Sequence, residues 1–172
     1  MKIFFKILFL LLLSLNTAHT VEPQMAILYN IITNDMQEYK IGNTKFVCSP
    51  YGVMSIDEMY RISKPDSTCA KSIIKFYEKR RDLQYYIYSK IRVQQQYPIV
   101  YKNGRCIVNI EGERSLSEIL LAEGLALRQP LFKDKEYFSY FYNAQNKART
   151  EKKGLWGENI NRDCVASIYR KE

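Results

Sequence analysis

Val93, Gln95, Tyr97, Ile99 and Tyr101 share one face of an alternating run, Asn103-Gly104 follows, and Cys106, Val108 and Ile110 resume the alternation. No other feature constrains the fold so tightly. Period-two alternation sets one face of a strand on a core, and Asn-Gly supplies the two left-handed residues of a tight hairpin turn. The reading is therefore two antiparallel strands, with Arg105 opening the second. Ser115-Leu116-Ser117-Glu118 then has the pattern of a capping box, in which the Ser115 hydroxyl and the Glu118 carboxylate satisfy orphan backbone donors at a helix start. That helix buries Leu116, Ile119 and Leu120, and Gly124 ends it in a left-handed conformation. After Pro130, Asp134 is the expected N-cap of a long helix running to Lys153. Tyr137, Phe141, Ala144 and Ala148 fall on its inner face, and Gly154 stops it before Leu155-Trp156.

The N-terminal third is less regular. Met25 to Thr33 is apolar and β-branched enough for a strand, with a helix as the alternative; Lys45 to Cys48 is a second extended segment, and Ser49-Pro50-Tyr51-Gly52 is a turn. Ser55-Ile56-Asp57-Glu58 repeats the capping-box pattern and predicts a short helix through Arg61, broken at Lys64-Pro65-Asp66. Ser67 or Thr68 caps another helix, with Ala70, Ile73, Ile74 and Tyr77 inward and Lys71, Lys75 and Lys79 outward, continuing in bent form through Leu83 to Ser89. Without repeats, low-complexity stretches or a linker, one domain is expected over residues 21–172.

Residues 1–20 carry Lys2 and Lys6, an apolar run from Ile7 to Leu13, and small polar residues around Ala18, the pattern of a cleaved secretory signal. The apolar run falls short of the roughly 20 residues of a spanning helix, so no stable membrane insertion is expected after cleavage. The expected location is periplasmic or secreted. Setting aside Lys2 and Lys6 leaves 24 basic residues against 18 acidic ones, a net charge near +6 that favours polyanions in general and nucleic acid in particular. The four cysteines, Cys48, Cys69, Cys106 and Cys164, suggest two disulfides in an exported chain. The preferred pairing is Cys48 with Cys69, closing a short loop, and Cys106 with Cys164. No Cys-x-x-Cys element points to a metal. The one histidine, His19, lies at the cleavage region. Histidine-dependent hydrolases and histidine-metal nucleases are thereby excluded, and catalysis falls to carboxylates, arginines, lysines, tyrosines or a bound metal.

The succession Lys102-Asn103-Gly104-Arg105, strand, Ser115-to-Gly124 helix, long helix and Gly154-Leu155-Trp156 resembles the staphylococcal nuclease (thermonuclease) family, and the chain is similar to a divergent, exported bacterial member. The resemblance implies an α+β domain, a small five-stranded, partly open barrel of the oligonucleotide-binding type with about three packed helices. It also implies a nuclease acting on DNA or RNA phosphodiesters. In that family a Tyr-Gly-Arg sequence before a strand presents an arginine to the scissile phosphate; here Asn103-Gly104-Arg105 occupies the place, and a guanidinium suits phosphate oxygens. The family's Asp-x-Asp-Thr element and its arginine before Asp-x-Pro-Glu are not recognisable. Ile56-Asp57-Glu58 is the nearest fragment, and position 52 is glycine rather than arginine.

A calcium ion wants six to eight oxygen ligands, and no acidic pair precedes Asp57-Glu58. The expectation is therefore an activity with no metal and no cofactor, with Arg105 as transition-state stabiliser, Glu58 as base and Arg61 as a further catalytic candidate. Lys102, Arg92, Tyr101 and Tyr97 are the expected nucleic-acid contacts, mixing phosphate neutralisation with base stacking. Two alternatives stay open: an inactive member that binds nucleic acid or another polyanion, and a disulfide-stabilised interaction protein that keeps only the scaffold.

Overall fold

A computed structural model describes residues 22–112, 114–158 and 160–168. The expected signal segment, residues 1–20, lies outside these. The first hairpin pairs β1 (Gln24–Thr33) with β2 (Met36–Ile41), and β3 (Thr44–Cys48) continues the meander. On its other side β1 pairs with β5 (Gln96–Lys102), which turns through Asn103-Gly104 into β6 (Arg105–Glu111), and β6 meets the short β7 (Arg114–Ser115). Both turn residues have the positive φ that the Asn-Gly signal requires, 51° and 76°. The result is one antiparallel sheet of six strands in the order β3-β2-β1-β5-β6-β7, beside a two-stranded pair of β4 (Val53–Ser55) and β8 (Ala126–Arg128).

The α+β class holds, and the expected five-stranded, partly open barrel fits only in part: the ladder has six strands and is not closed. The physical reason lies at Pro50. The segment after β3 touches β6 through one parallel bridge at Pro50 and Cys106, with Cys106 N–H donating to the Ser49 carbonyl (2.8 Å) and Tyr51 N–H to the Cys106 carbonyl (2.9 Å). Proline has no N–H to extend a ladder, and the chain leaves to pair with β8 instead. β2, which no sequence signal singled out, reads Met-Gln-Glu-Tyr-Lys-Ile; its two buried residues are Gln37 and Tyr39.

Six α-helices pack around the sheet among the described residues, rather than about three. They are α1 (Ile56–Ile62), α2 (Thr68–Lys79), α3 (Arg81–Gln84), α4 (Leu116–Ala122), α5 (Phe138–Thr150) and α6 (Ile160–Ile168). Ser67 caps α2, and Ser115 with Glu118 forms the full capping box of α4. On α2 the buried positions are Cys69, Ala70, Ile73 and Phe76, whereas Ile74, expected inward, is 44% exposed. The stripe is set one position round because Cys69 faces α6.

The cysteine pairing also differs from expectation. Cys48 is bonded to Cys106 and Cys69 to Cys164, with Cα separations of 5.7 and 4.5 Å. The Pro50 bridge carries the end of β3 to the mouth of β6, and α2 packs on α6. Tertiary proximity, not loop length, chose the partners.

α4 is the centre of the core. Leu116, Ile119, Leu120 and Leu121 are all at or below 2% exposure, and Ser117 is buried with its hydroxyl donating to the Tyr51 carbonyl (2.8 Å). Phe141 of α5 is fully buried and stacks on Phe132; a side chain of that size contributes roughly 2–3 kcal/mol by leaving water. The loop after α4 meets the loop after α5 backbone to backbone, with Leu155 N–H donating to the Gly124 carbonyl (2.9 Å).

Candidate active site

Arg105 stands at the first position of β6, just past the hairpin turn, so it is paired with Lys102 of β5, and the next residue, Cys106, is held by the Pro50 bridge. Its guanidinium meets the Glu58 carboxylate in a two-pronged pair, Nη2 to Oε1 at 2.6 Å and Nη1 to Oε2 at 3.1 Å, and Nη1 also donates to the Val53 carbonyl at 3.2 Å. Such parallel N–H···O geometry is the strong form of an ion pair. Glu58 belongs to the first turn of α1, where the Ser55 hydroxyl accepts from its N–H (2.8 Å). The sequence pattern of a capping box is thus half used: the carboxylate reaches across to Arg105. The two side chains retain 25% and 16% exposure, so solvent and ligand can reach them.

Arg105 lines a cleft of about 890 Å³ whose walls also include Tyr51, Met54, Lys102, Asn103, Phe132 and Asp134, and Glu58 is joined to that cleft through the ion pair. Lys102 Nζ lies 2.6 Å from Asp134 Oδ2, and the Tyr51 hydroxyl donates to the same oxygen at 2.9 Å. The bond to Asp134 raises the Lys102 ammonium above the usual lysine range despite some burial. Burial alone would raise Asp134, but the bonds from Lys102 and Tyr51 outweigh it and hold its carboxyl low. The ammonium also lies 5.6 Å from the Tyr51 ring centre and 5.5 Å from that of Tyr137, a cation over aromatic faces. Arg105, Lys102 and Lys133 therefore line one cleft, the first two already matched to a carboxylate.

Gly52 helps to shape this cleft. It has φ of 72°, and a Cβ there would run into the Phe132 ring. An arginine at this position would need the ring to leave, so the lack of the family's arginine at 52 is built into the packing.

The remaining sequence candidates separate. Arg61 faces away from Arg105 and binds Asp35, Nη2 to Oδ2 at 2.8 Å and Nη1 to Oδ1 at 3.1 Å. Tyr97 is a core residue, 5% exposed, whose hydroxyl accepts from Arg92 N–H and donates to Gln95; its ring is not presented for stacking. Tyr101 is 62% exposed but lines a different groove, with Ile99 and Phe46. Arg92 is exposed in the segment ahead of β5. Of the expected contacts, only Lys102 joins Arg105 in the cleft.

Residues 58–158 match the model of the family described as staphylococcal nuclease homologue, more than half of the 172 residues. The chain belongs to that family. No curated protein matches it. The match begins at Glu58 and contains Arg105, so both partners of the ion pair lie inside the family region, whereas β1 to β4 lie before it.

Sequence reasoning passed over Asp35, which reads as an ordinary turn residue between β1 and β2. It is 1% exposed. Burial pushes its carboxyl up, but hydrogen bonds from Arg61, Ser55 and Thr33 prevail and hold it below the ordinary value of 3.8. Asp57 is shifted the other way: burial, with the Asp35 charge adding to it, raises its carboxyl above 3.8 despite the bonds from the Tyr77 hydroxyl (2.7 Å) and Asn34 N–H (3.2 Å). The family's calcium can be tested against these groups. The oxygens of Asp35 are taken by Arg61 and Thr33, those of Asp57 by Tyr77 and Asn34, and those of Glu58 by Arg105. Among the described residues no three His, Cys, Asp or Glu side chains are grouped as for a metal. The residues do not fit the ion.

Asp35 and Asp57 set opposite pH dependences. A depressed carboxyl contributes stability above its unfolded value and loses it as pH falls through the folded one; a raised carboxyl costs stability at neutral pH, and that cost is relieved as pH falls through its folded value. Thermal stability is therefore expected to rise from neutral pH into the mildly acid range and to fall below 3.8. Melting curves of Asp57→Asn should lack the upper rise, and those of Asp35→Asn should lack part of the lower fall; the reverse assignment would refute the scheme.

Proposed function

We propose that the chain is an exported nuclease that hydrolyses phosphodiester bonds of DNA or RNA without a tightly bound divalent metal. The observation that carries this reading is the two-pronged Arg105–Glu58 pair, whose arginine lines an open cleft together with Lys102. A phosphodiester brings two non-bridging oxygens that match the guanidinium as the carboxylate does. When phosphate takes over Arg105, Glu58 is released beside it as a base. Water attacks phosphorus and gives its proton to Glu58, the P–O ester bond breaks, and the departing oxygen takes a proton from solvent near the Lys102 ammonium. Arg105 holds the charge on the phosphoryl oxygens throughout. No step requires a metal.

Residues 1–20 would serve as the signal and 21–172 as the mature domain. Two disulfides suit an oxidising compartment. No helix among the described residues is long and apolar enough to cross a membrane.

One observation favours a second reading. Both Glu58 oxygens are engaged by Arg105, so neither can take a proton from water while the pair is closed; a protein that binds nucleic acid without cutting it would keep the same geometry. Degradation of single-stranded DNA, double-stranded DNA and RNA by the oxidised protein, with calcium or with excess chelator, separates the two. The nuclease reading expects equal cleavage in both conditions and a rate on the order of 100- to 1,000-fold lower in Arg105→Ala, with Glu58→Gln impaired in rate more than in binding. Binding to nucleic acid with no cleavage in any condition would leave the second reading.

A further inference from the structure

Of the four aromatic side chains of α5, only Phe141 is buried. Tyr140 borders a groove with Arg114 and Glu118. Phe138 and Tyr142, one helical turn apart, are 40% and 47% exposed, and their rings lie nearly parallel, 9° apart with centres 6.2 Å apart. This pair is tied to the Arg105 cleft at Arg128. The Arg128 guanidinium carbon lies 4.7 Å from the centre of the Phe138 ring, and its Nη1 donates to the carbonyl of Phe132, a wall of the cleft. Phe132 in turn stacks on Phe141, with ring centres 5.1 Å apart, so the helix that carries the outer rings is packed directly on the cleft wall.

The charge around the pair selects its occupant. Lys133 and Lys135 are exposed on the loop that runs from the cleft into α5, whereas the acidic residues of the same stretch, Asp134 and Glu136, both lie toward Lys102. What is left beside the rings is positive: Arg128, Lys133 and Lys135. Flat aromatic faces flanked by cations suit a strand that offers bases and phosphates together, and an apolar protein surface would strand those cations without partners. We propose that Phe138 and Tyr142 form a stacking subsite for a single nucleic-acid strand leaving the Arg105 cleft, with Arg128 and Lys133 meeting its phosphates. The proposal rests on the nucleic-acid reading of the cleft and adds to it a preference for unpaired bases and for strands longer than the cleft alone would hold. Tyr97 and Tyr101, the stacking residues expected from the sequence, have no part in it.

The test compares the affinity of the oxidised protein for a phosphorothioate-linked thymidine dinucleotide with that for a thymidine strand of about 12 nucleotides, a length within the range that such folds cover. The wild type is expected to bind the longer strand more tightly, and to gain less from a duplex of the same length, whose bases are not free to stack. In a Phe138→Ala, Tyr142→Ala double variant the ratio of the two single-strand affinities should fall by about 5- to 150-fold, the loss of stacking on one base. A Phe138→Tyr, Tyr142→Phe variant keeps both rings and should keep the ratio. The proposal alone is overturned if the alanine variant has the wild-type ratio while both probes still bind, or if the ring-keeping variant loses the ratio as the alanine variant does. Failure of the wild type to bind either probe would sink the reading of the cleft and this subsite with it. A wild-type dimer that the alanine variant converts to monomer, with strand binding unchanged, would overturn the proposal in favour of a second copy of the chain on this face.

Discussion

Replacing Cys69 and Cys164 together with alanine is expected to cost about 4–5 kcal/mol, the largest loss from any single cross-link in this chain. The bond closes 95 residues of sequence, from the first turn of α2 to α6, and in the chain-entropy account the loss on opening a loop of that size approaches 4.7 kcal/mol. The covalent tie of α6 to α2 is supported by Ile160 in the core and by Asp163, whose carboxylate accepts from the Ser72 hydroxyl. Guanidinium unfolding of the variant against wild type would measure the loss. A cost below about 1 kcal/mol would mean that α6 is held by packing alone. Because α6 lies beyond the Arg105 cleft, the variant at low temperature should retain whatever nucleic-acid activity the wild type has.

The second large effect is at the glycine pair. Gly124 has φ of 67° and Gly154 φ of 51°, and each lies against the other's loop: a Cβ on Gly124 would enter the Lys153 carbonyl, and one on Gly154 would enter the carbonyl of Gly124. The obstruction is backbone on both sides, so no side chain can rotate away. The left-handed conformation costs a non-glycine residue about 1–3 kcal/mol, and overpacking adds a similar amount. Gly124→Ala should therefore lose about 4 kcal/mol and weaken the Leu155-to-Gly124 hydrogen bond that docks α5's end on α4. A denaturant midpoint within error of wild type would show that the two loops are free to separate. Gly104→Ala is the matched control: its φ is 76° but nothing lies within 4 Å, so only the conformational part of the cost should appear.

The parts of the fold written locally were legible. Asn103-Gly104 fixed the β5–β6 hairpin and placed Arg105, and Ser115 with Glu118 fixed the start of α4, because turn dihedrals and cap hydrogen bonds are satisfied within four residues. β2 was not legible, since Gln37 and Tyr39 are buried by their neighbours rather than by an apolar pattern. Gln37 is held by the Thr33 and Asn34 carbonyls, to which its amide donates. Glu58 read as the second half of a capping box, and the local rule was only half obeyed because a guanidinium 47 residues away offered a stronger partner. Tyr97 read as a stacking residue because tyrosine suits both half-buried strands and base stacking; only its neighbours decide.

Residue identity and spacing were enough to place the hairpin, the helix–helix order after it, Arg105 and the even set of cysteines, and the family resemblance that they carry implied the α+β class. The cysteine partners, the six-stranded open sheet, the pairing of Arg105 with Glu58 and the burial of Asp35 against Arg61 were decided by the tertiary structure. The physical division is one of range. A turn or a cap is settled by atoms a few residues apart. A disulfide, an ion pair or a buried carboxylate depends on which distant surfaces the packed chain brings within a few ångströms, and here the Pro50 bridge and the α2–α6 contact made those choices.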